Sequence, residues 1–256
     1  MQTVGYITSY IDLAQLMLYV FWIFFAGLIY YLVQENHREG YPMESGSNGR
    51  AVVKGWPIPE PKTFKLEGGR TVTVPDLKRK EPPLNGASAG FGMGSPIEPT
   101  GDPMTAAIGP GAYTLRQDVP EMTTHGTPVI QPLRLASDYT VATQDVDPRG
   151  LPVVGGDGKP GGTVKDIWID ASEMMFRYLE VETSTSAGLR RVLLPIPFTL
   201  IRRNQVEVHA IYGRHFADVP QLRNPDQVTK LEEEKITAYY GGGTLYADPK
   251  RNQPLV

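Results

Sequence analysis

Apolar and polar residues are segregated along this chain in two different ways. Leu13 to Val33 reads LAQLMLYVFWIFFAGLIYYLV, about twenty residues without a charged side chain, enough for a helix to cross a hydrocarbon core of roughly 30 Å. Lipid offers backbone N–H and C=O groups no partner, so a lone span has to pair them internally as a helix. A cleaved leader would carry a basic start and a small-residue cleavage site. The first twelve residues hold no Lys or Arg, and a retained single-pass anchor over residues 12–34 is expected. Basic residues flanking a span tend to stay cytoplasmic. His37, Arg38, Arg50 and Lys54 follow the apolar run and only Asp12 precedes it, which puts the large C-terminal part in the cytoplasm. Tyr10 and Tyr19 toward one end, and Tyr30, Tyr31 and Tyr41 toward the other, suit rings at the two interfaces.

Beyond the span the pattern shortens. KTFKLEGGRTVTVP predicts a hairpin, with Thr63 to Leu66 and Thr71 to Val74 around Glu67, Gly68 and Gly69. Between Gly150 and Ile211, short strand-like runs are separated by Gly, Asn or Pro: Leu151–Val154, Thr163–Asp170, Met175–Thr183, Arg190–Leu194, Phe198–Arg203 and Val206–Ile211. That rhythm predicts a small antiparallel barrel or sandwich. One helix is expected near 225–240, with Asn224 as N-cap, Pro225 and Asp226 in its first turn, and Gly241 to Gly243 past its end. Val228, Leu231, Ile236 and Tyr239 or Tyr240 form its apolar stripe.

Composition changes the picture between these elements. The chain has 27 Gly and 23 Pro, and about three quarters of them fall between Gly40 and Gly162, where long helices are excluded. Residues 35–114 are therefore expected as an extended connector laid on a surface, with the hairpin inside it. Val52, Val53, Trp56 and Ile58 are apolar groups that a purely solvating linker lacks. Lys78, Arg79 and Lys80 read as a solvated loop or as a contact to anionic head groups. From Asn85 to Gly111 little can build regular structure, and Phe91, Met93, Ile97, Met104 and Ile108 are spaced like single anchors onto a partner. The compact domain is expected over 115–256, ending in the frayed tail DPKRNQPLV.

A net charge of −3 makes nucleic acid an improbable partner, because binding its backbone asks for an excess of Lys and Arg. The absence of Cys removes disulfides, thiol nucleophiles and Cys-held metals. Gly156, Gly158 and Gly161 satisfy G-x-G-x-x-G, but a strand-like run follows instead of a helix, so a hairpin turn is expected. No histidine is spaced for a helical zinc site. His125, in the loop MTTHGTP, is a candidate surface proton carrier. Asp166, Asp170, Glu173, Glu180 and Glu182, with Arg177 among them, gather about one strand turn. Solvated strand faces account for such a group; paired carboxylates with displaced proton affinities offer a relay instead. An enzyme built on these carboxylates would need a nucleophile with its base, a metal set or a cofactor loop, and none is evident. A tethered adaptor binding soluble proteins is a further class.

Eight collinear segments carry a resemblance: FWIFFAGLIYYL, ENHREGYPM, PKTFKLEGGRTVTVP, PTGDPM, GPGAYTLRQDVPE, DPRGLPVV, DIWIDASEMMFRYLEVE and ITAYYGGGTLYADP. Through nearly its whole length the chain resembles the H subunits of the photosynthetic reaction centres of purple bacteria. The resemblance implies a single N-terminal transmembrane helix, residues 1–11 in the periplasm, and a mainly-β cytoplasmic domain, a small antiparallel PRC-type β-barrel, with one C-terminal helix and a long irregular Gly/Pro-rich segment. It implies a non-catalytic subunit of the bacterial inner (intracytoplasmic) membrane that caps the L and M subunits. Those subunits hold bacteriochlorophyll, bacteriopheophytin, quinones and non-haem iron, and this chain binds none of them. Antenna polypeptides and lipids would surround the anchor. It further implies a proton path to the secondary quinone, with Glu173 near the quinone pocket, Asp170 beside it, and His125 in a surface uptake site; Asp166 and Arg177 join the set as part of the same acidic group. Thr123 and Thr127 stand where relatives have an aspartate and a second histidine, so the resemblance does not extend to metal binding there.

Overall fold

Helix α1 spans Leu13–Arg38 of the computed structural model. The structure describes residues 12–39, 59–76, 83–90 and 95–251. Tyr10, Tyr41, Arg50, Val52, Val53, Lys54, Trp56, Ile58, Lys78 to Lys80, Phe91, Met93 and the last five residues of the tail lie outside them. By contact the chain divides into two units, Met1–Pro83 with Gly92–Gly94, and Leu84–Phe91 with Ser95–Val256.

In the first unit α1 begins at Asp12, whose Oδ1 accepts the Gln15 N–H at 2.6 Å, an N-cap that answers one of the orphan donors of the first turn. At 1.5 Å per residue its 26 residues reach about 39 Å, longer than a hydrocarbon core. Its apolar side chains stay exposed, Ile23 at 74% and Phe24 at 63%, a face that suits lipid and not water. The helix runs one turn past the predicted end at Gln34, from Glu35 to Arg38, because His37 and Arg38 sit at the negative end of its dipole and Arg38 Nε lies 3.1 Å from Glu35. The hydroxyl of Tyr19, deep in the span, accepts from Gln15 Nε2 at 2.8 Å. Strands β1 (Lys62–Lys65) and β2 (Thr71–Val74) form the predicted hairpin. Its turn uses positive φ at Gly68 and Gly69, which only glycine adopts freely. Lys62 pairs with Glu35 and lies 5.5 Å from the Tyr31 ring centre, fastening the hairpin to the helix end.

The second unit begins where regular structure was not expected. β3 (Gly86–Ser88) and β4 (Ile97–Pro99) pair antiparallel. Gly86 makes this possible, since a Cβ there would stand 2.6 Å from Ile97 Cγ2. Met104 and Ile108 are buried within this unit, which corrects their reading as anchors onto a partner. Next come β5 (Ile130–Pro132), β6 (Pro152–Gly155), β7 (Pro160–Asp170), β8 (Met175–Thr185), β9 (Gly188–Pro195), β10 (Leu200–Ile201) and β11 (Val206–Val208). These seven form one sheet in the order β10-β11-β6-β7-β8-β9, with β5 also on β7. The pairing is antiparallel except β6 with β11, and the ladder does not close into a barrel. The G-x-G-x-x-G run is the β6–β7 turn, where Gly158 N–H meets Gly155 O at 2.9 Å. Phe198–Arg203 shrinks to β10 because Pro195 and Pro197 force a 3-10 turn at Ile196–Phe198.

Helix α2 (Lys230–Tyr246) corrects the cap and the stop. Thr229 is the N-cap: Glu232 N–H donates to Thr229 Oγ1 at 3.1 Å and Thr229 N–H to Glu232 Oε2 at 2.8 Å, satisfying two donors reciprocally. Asn224 instead closes a turn on Asp226 N–H at 3.0 Å. Gly241 to Gly243 lie inside the helix. A Cβ on Gly241 would stand 2.7 Å from Pro110 O, one on Gly242 3.3 Å from Gly111 Cα, and one on Gly243 2.8 Å from Ala210 O and against Ile211. Close approach, not chain termination, selects these glycines. Ile236 and Tyr240 of α2 are fully buried with Trp168 and Phe216, and Tyr240 stacks on Phe198 at 5.7 Å. Gly243→Leu is expected to destabilise the chain by about 2 kcal/mol through overpacking, read as a lower thermal midpoint by circular dichroism; a parental midpoint would refute the glycine face.

Candidate functional site

The acidic residues near the β7–β8 turn divide into two groups. At the turn, buried Asp170 accepts Ser172 N–H at 2.9 Å and Glu173 N–H at 3.0 Å on one carboxylate oxygen, closing the reversal. Met174 takes φ +53°, uncommon for a residue with a Cβ, and is 79% exposed. Glu173 beside it projects outward, its side chain 62% exposed, with Arg177 3.9 Å away. The tip thus presents an apolar group and a carboxylate, while its base is fixed by backbone hydrogen bonds.

The second group is an ionic network inside the sheet. Glu180 on β8 has a side chain only 4% exposed. Its Oε2 accepts from Arg134 at 2.9 Å and Trp168 Nε1 at 3.0 Å, and its Oε1 from Arg191 at 2.9 Å. Arg134 also donates to Asp166 at 3.0 Å, to Asp226 at 2.7 Å and to the Pro225 carbonyl at 2.8 Å. Burial opposes the Arg134 charge, but its hydrogen bonds to Asp226, Glu180 and Asp166 outweigh it and hold its pKa above the usual arginine range. Asp166 is therefore a fixed partner of Arg134, apart from Glu173, and Glu182 pairs with Lys165 at 2.8 Å. What reads in sequence as solvated strand faces is buried at Asp166, Asp170 and Glu180.

A third feature escaped the sequence reading. Tyr178 OH donates to Glu233 Oε2 at 3.0 Å across a cleft of about 510 Å³ between β8, the 195–198 turn and α2. Burial pushes the Glu233 carboxyl above the ordinary carboxylate range, against the Tyr178 hydrogen bond and the charges of Arg177 and Arg116, with Glu121 adding to the rise. Burial likewise pushes the Tyr178 phenol upward, so it stays a donor. The signal was present in the helix period: Glu233 stands three residues before Ile236 and seven before Tyr240, on the stripe reserved for apolar residues.

His125 lies elsewhere on the surface, in a turn pinned by Thr123 and Thr127, whose hydroxyls are 2.8 Å apart. Its N–H donates to Thr123 Oγ1 at 3.3 Å. Thr123 Oγ1 also accepts the Thr127 N–H at 3.3 Å, so the threonine hydroxyls serve the turn itself. Among the described residues no group of three or more His, Asp or Glu is set to hold a metal ion.

Two family matches bear on this arrangement. Residues 143–215, which contain most of the sheet, match the PRC-barrel domain, so the class of the β domain is defined. Residues 5–135 match the photosynthetic reaction centre H-chain, N-terminal region; with more than half of its length matched, the chain belongs to the reaction-centre H-chain family. It is a subunit of a photosynthetic reaction centre, a structural component that associates with other subunits and carries a candidate membrane anchor.

Removing one partner from a buried ionic network leaves uncompensated charge. Arg134→Met is expected to cost about 3 kcal/mol in urea unfolding of the detergent-solubilised chain, whereas Arg191→Met, at a half-exposed position, costs about 1 kcal/mol or less. Equal losses would show that Arg134 does not hold the network.

Proposed function

We propose that this chain is the non-catalytic H subunit that caps the L and M subunits of a bacterial photosynthetic reaction centre, stabilises their quinone sites, and conducts protons toward the secondary quinone. The anchor lies in the inner (intracytoplasmic) membrane, with its N-terminus in the periplasm and the sheet domain in the cytoplasm. Antenna polypeptides and lipids surround the anchor, and the bacteriochlorophyll, bacteriopheophytin, quinones and non-haem iron belong to the partner subunits.

The observation that carries this reading is the β7–β8 turn. Glu173 and Met174 are both exposed at its tip, and a solvent-facing Met at positive φ is costly unless it meets a partner. Asp170, locked by two backbone N–H groups, positions Glu173 without itself leaving the sheet. Arg177 supplies a counter-charge at 3.9 Å, close enough to steer the Glu173 carboxylate and too far to immobilise it as a tight pair. Within this scheme Asp166, tied to Arg134, holds the strand that carries the turn. His125 serves as a single surface proton carrier, its neighbours Thr123 and Thr127 having no ionisable side chain.

In assembled complexes, Glu173→Gln is expected to slow proton-coupled transfer of the second electron to the secondary quinone on the order of tenfold or more, as loss of a positioned proton donor does, while the first charge separation keeps its rate. Flash kinetics measure both steps. An unchanged second-electron rate would remove Glu173 from the route.

A further inference from the structure

The cleft beside the turn contains a carboxylate that the turn-based route does not use. Glu233 is 8% exposed, and its cleft is walled by Phe176, Pro195, Ile196 and Phe198. Glu180, comparably buried, is answered by two arginines, while among the described residues Glu233 forms no salt bridge. Among the described residues its side chain accepts one hydrogen bond, from Tyr178 OH, a neutral donor. A buried carboxylate with so little compensation is stabilised by taking up a proton.

The groups facing Glu233 are few and can be named. From β8 come Tyr178 and Arg177, from the segment before β5 Arg116 and Glu121, and from α2 itself Glu234, whose carboxylate is 3.6 Å from Arg116. Arg177 is the connection to the turn: it lines the cleft and also lies 3.9 Å from Glu173. Arg177 thus stands by both carboxylates, 3.9 Å from Glu173 and acting on Glu233 through its charge. A proton passing from Glu233 to Glu173 leaves the Arg177 charge to the Glu233 carboxylate, which steadies the ionised form left behind. No bond other than O–H is made or broken, and charge is conserved by the exchange.

The geometry points to Glu233, hydrogen-bonded to Tyr178 in the apolar cleft and joined to Glu173 through Arg177, as a second proton-holding residue that supplies the turn. This assignment rests on the proton-conducting role proposed above and adds to it a store, distinct from the exposed carboxylate at the tip.

Infrared spectroscopy of the assembled complex as a function of pH tests it. The parent is expected to retain a protonated-carboxyl band above the ordinary carboxylate range, and Glu233→Gln to lose it. Tyr178→Phe, which removes a hydrogen bond to the ionised form, is expected to carry the band to still higher pH; this variant keeps the carboxyl and serves where Glu233→Gln fails to assemble. The stability sign follows from the same displacement. The folded chain binds this proton more tightly than the unfolded one, so the stability it contributes is full at low pH and lost as pH rises through the folded value. Glu233→Gln should thus gain stability relative to the parent on raising the pH. Second-electron transfer in Glu233→Gln is expected to slow by roughly tenfold on the alkaline side and to match the parent on the acidic side. A band indifferent to both substitutions, or a transfer rate unaltered at every pH, would overturn the assignment. If Glu173→Gln leaves transfer unchanged while the Glu233 band persists and Glu233→Gln slows transfer, the store stands and only the route through the tip falls.

Discussion

One guanidinium joins four stretches of chain that are remote in sequence. Arg134, just after β5, donates to Asp166 on β7, to Glu180 on β8 and to Asp226 and Pro225 ahead of α2. Glu180 would be prohibitively costly inside a sheet if left alone, since a buried charge without partners loses its hydration and gains nothing. With Arg134, Arg191 and Trp168 around it, the charge becomes a fixture. This is why β7 can be buried continuously from Asp166 to Asp170 and why the sheet forms a stiff base for its own turn.

On that base the same functional group is placed in three environments. Glu180 is enclosed and paired with two arginines. Glu173 is outside, loosely held, and free to meet whatever lies beyond the tip. Glu233 is enclosed but met only by a phenol, so burial decides its state. Position relative to cations, and not residue type, separates a structural carboxylate from one able to carry protons. Strands β7 and β8 bring all three to within a few side chains of each other through Arg177, Tyr178 and Trp168.

Much of this was legible in the residues. The uncharged run of α1, the β1–β2 hairpin and strands β6 to β9 follow from long apolar runs or period-two alternation, signals local enough to survive folding. Strands of three residues such as β3, β4 and β5 are too short to show a period. Two capping sequences competed at α2, and Thr229 with Glu232 prevailed over Asn224 because a reciprocal box satisfies two donors where a single side chain satisfies one. The site was legible as a list of acids but not as an arrangement. Arg134 stands 32 residues from Asp166, and Tyr178 stands 55 from Glu233, distances over which composition and spacing say nothing about contact. The likeness to the H-chain family pointed to Glu173 and Asp170; it took the geometry to separate Asp166 from them and to bring in Glu233.

The glycines of α2 show how an irregular segment acquires order without making regular structure. The 3-10 turn Gly109–Gly111 lies against Gly241 and Gly242 at backbone distance, and Met104, Ala106 and Ile108 just before it are buried. Neither partner is self-sufficient: the segment has too many Pro and Gly to fold alone, and a helix with three consecutive glycines forfeits propensity of up to about 1 kcal/mol at each. Their close approach offsets both deficits with dispersion contacts that larger side chains would prevent. Along α2 the covering material therefore changes, from the cleft at Glu233, through the aromatic core at Ile236 and Tyr240, to the glycine face. The helix is held by three unlike surfaces, and the first of them holds a buried carboxylate with no cation paired to it among the described residues. A carboxylate on an otherwise apolar stripe is placed there at a cost to stability, and that cost is the physical reason to look for its use.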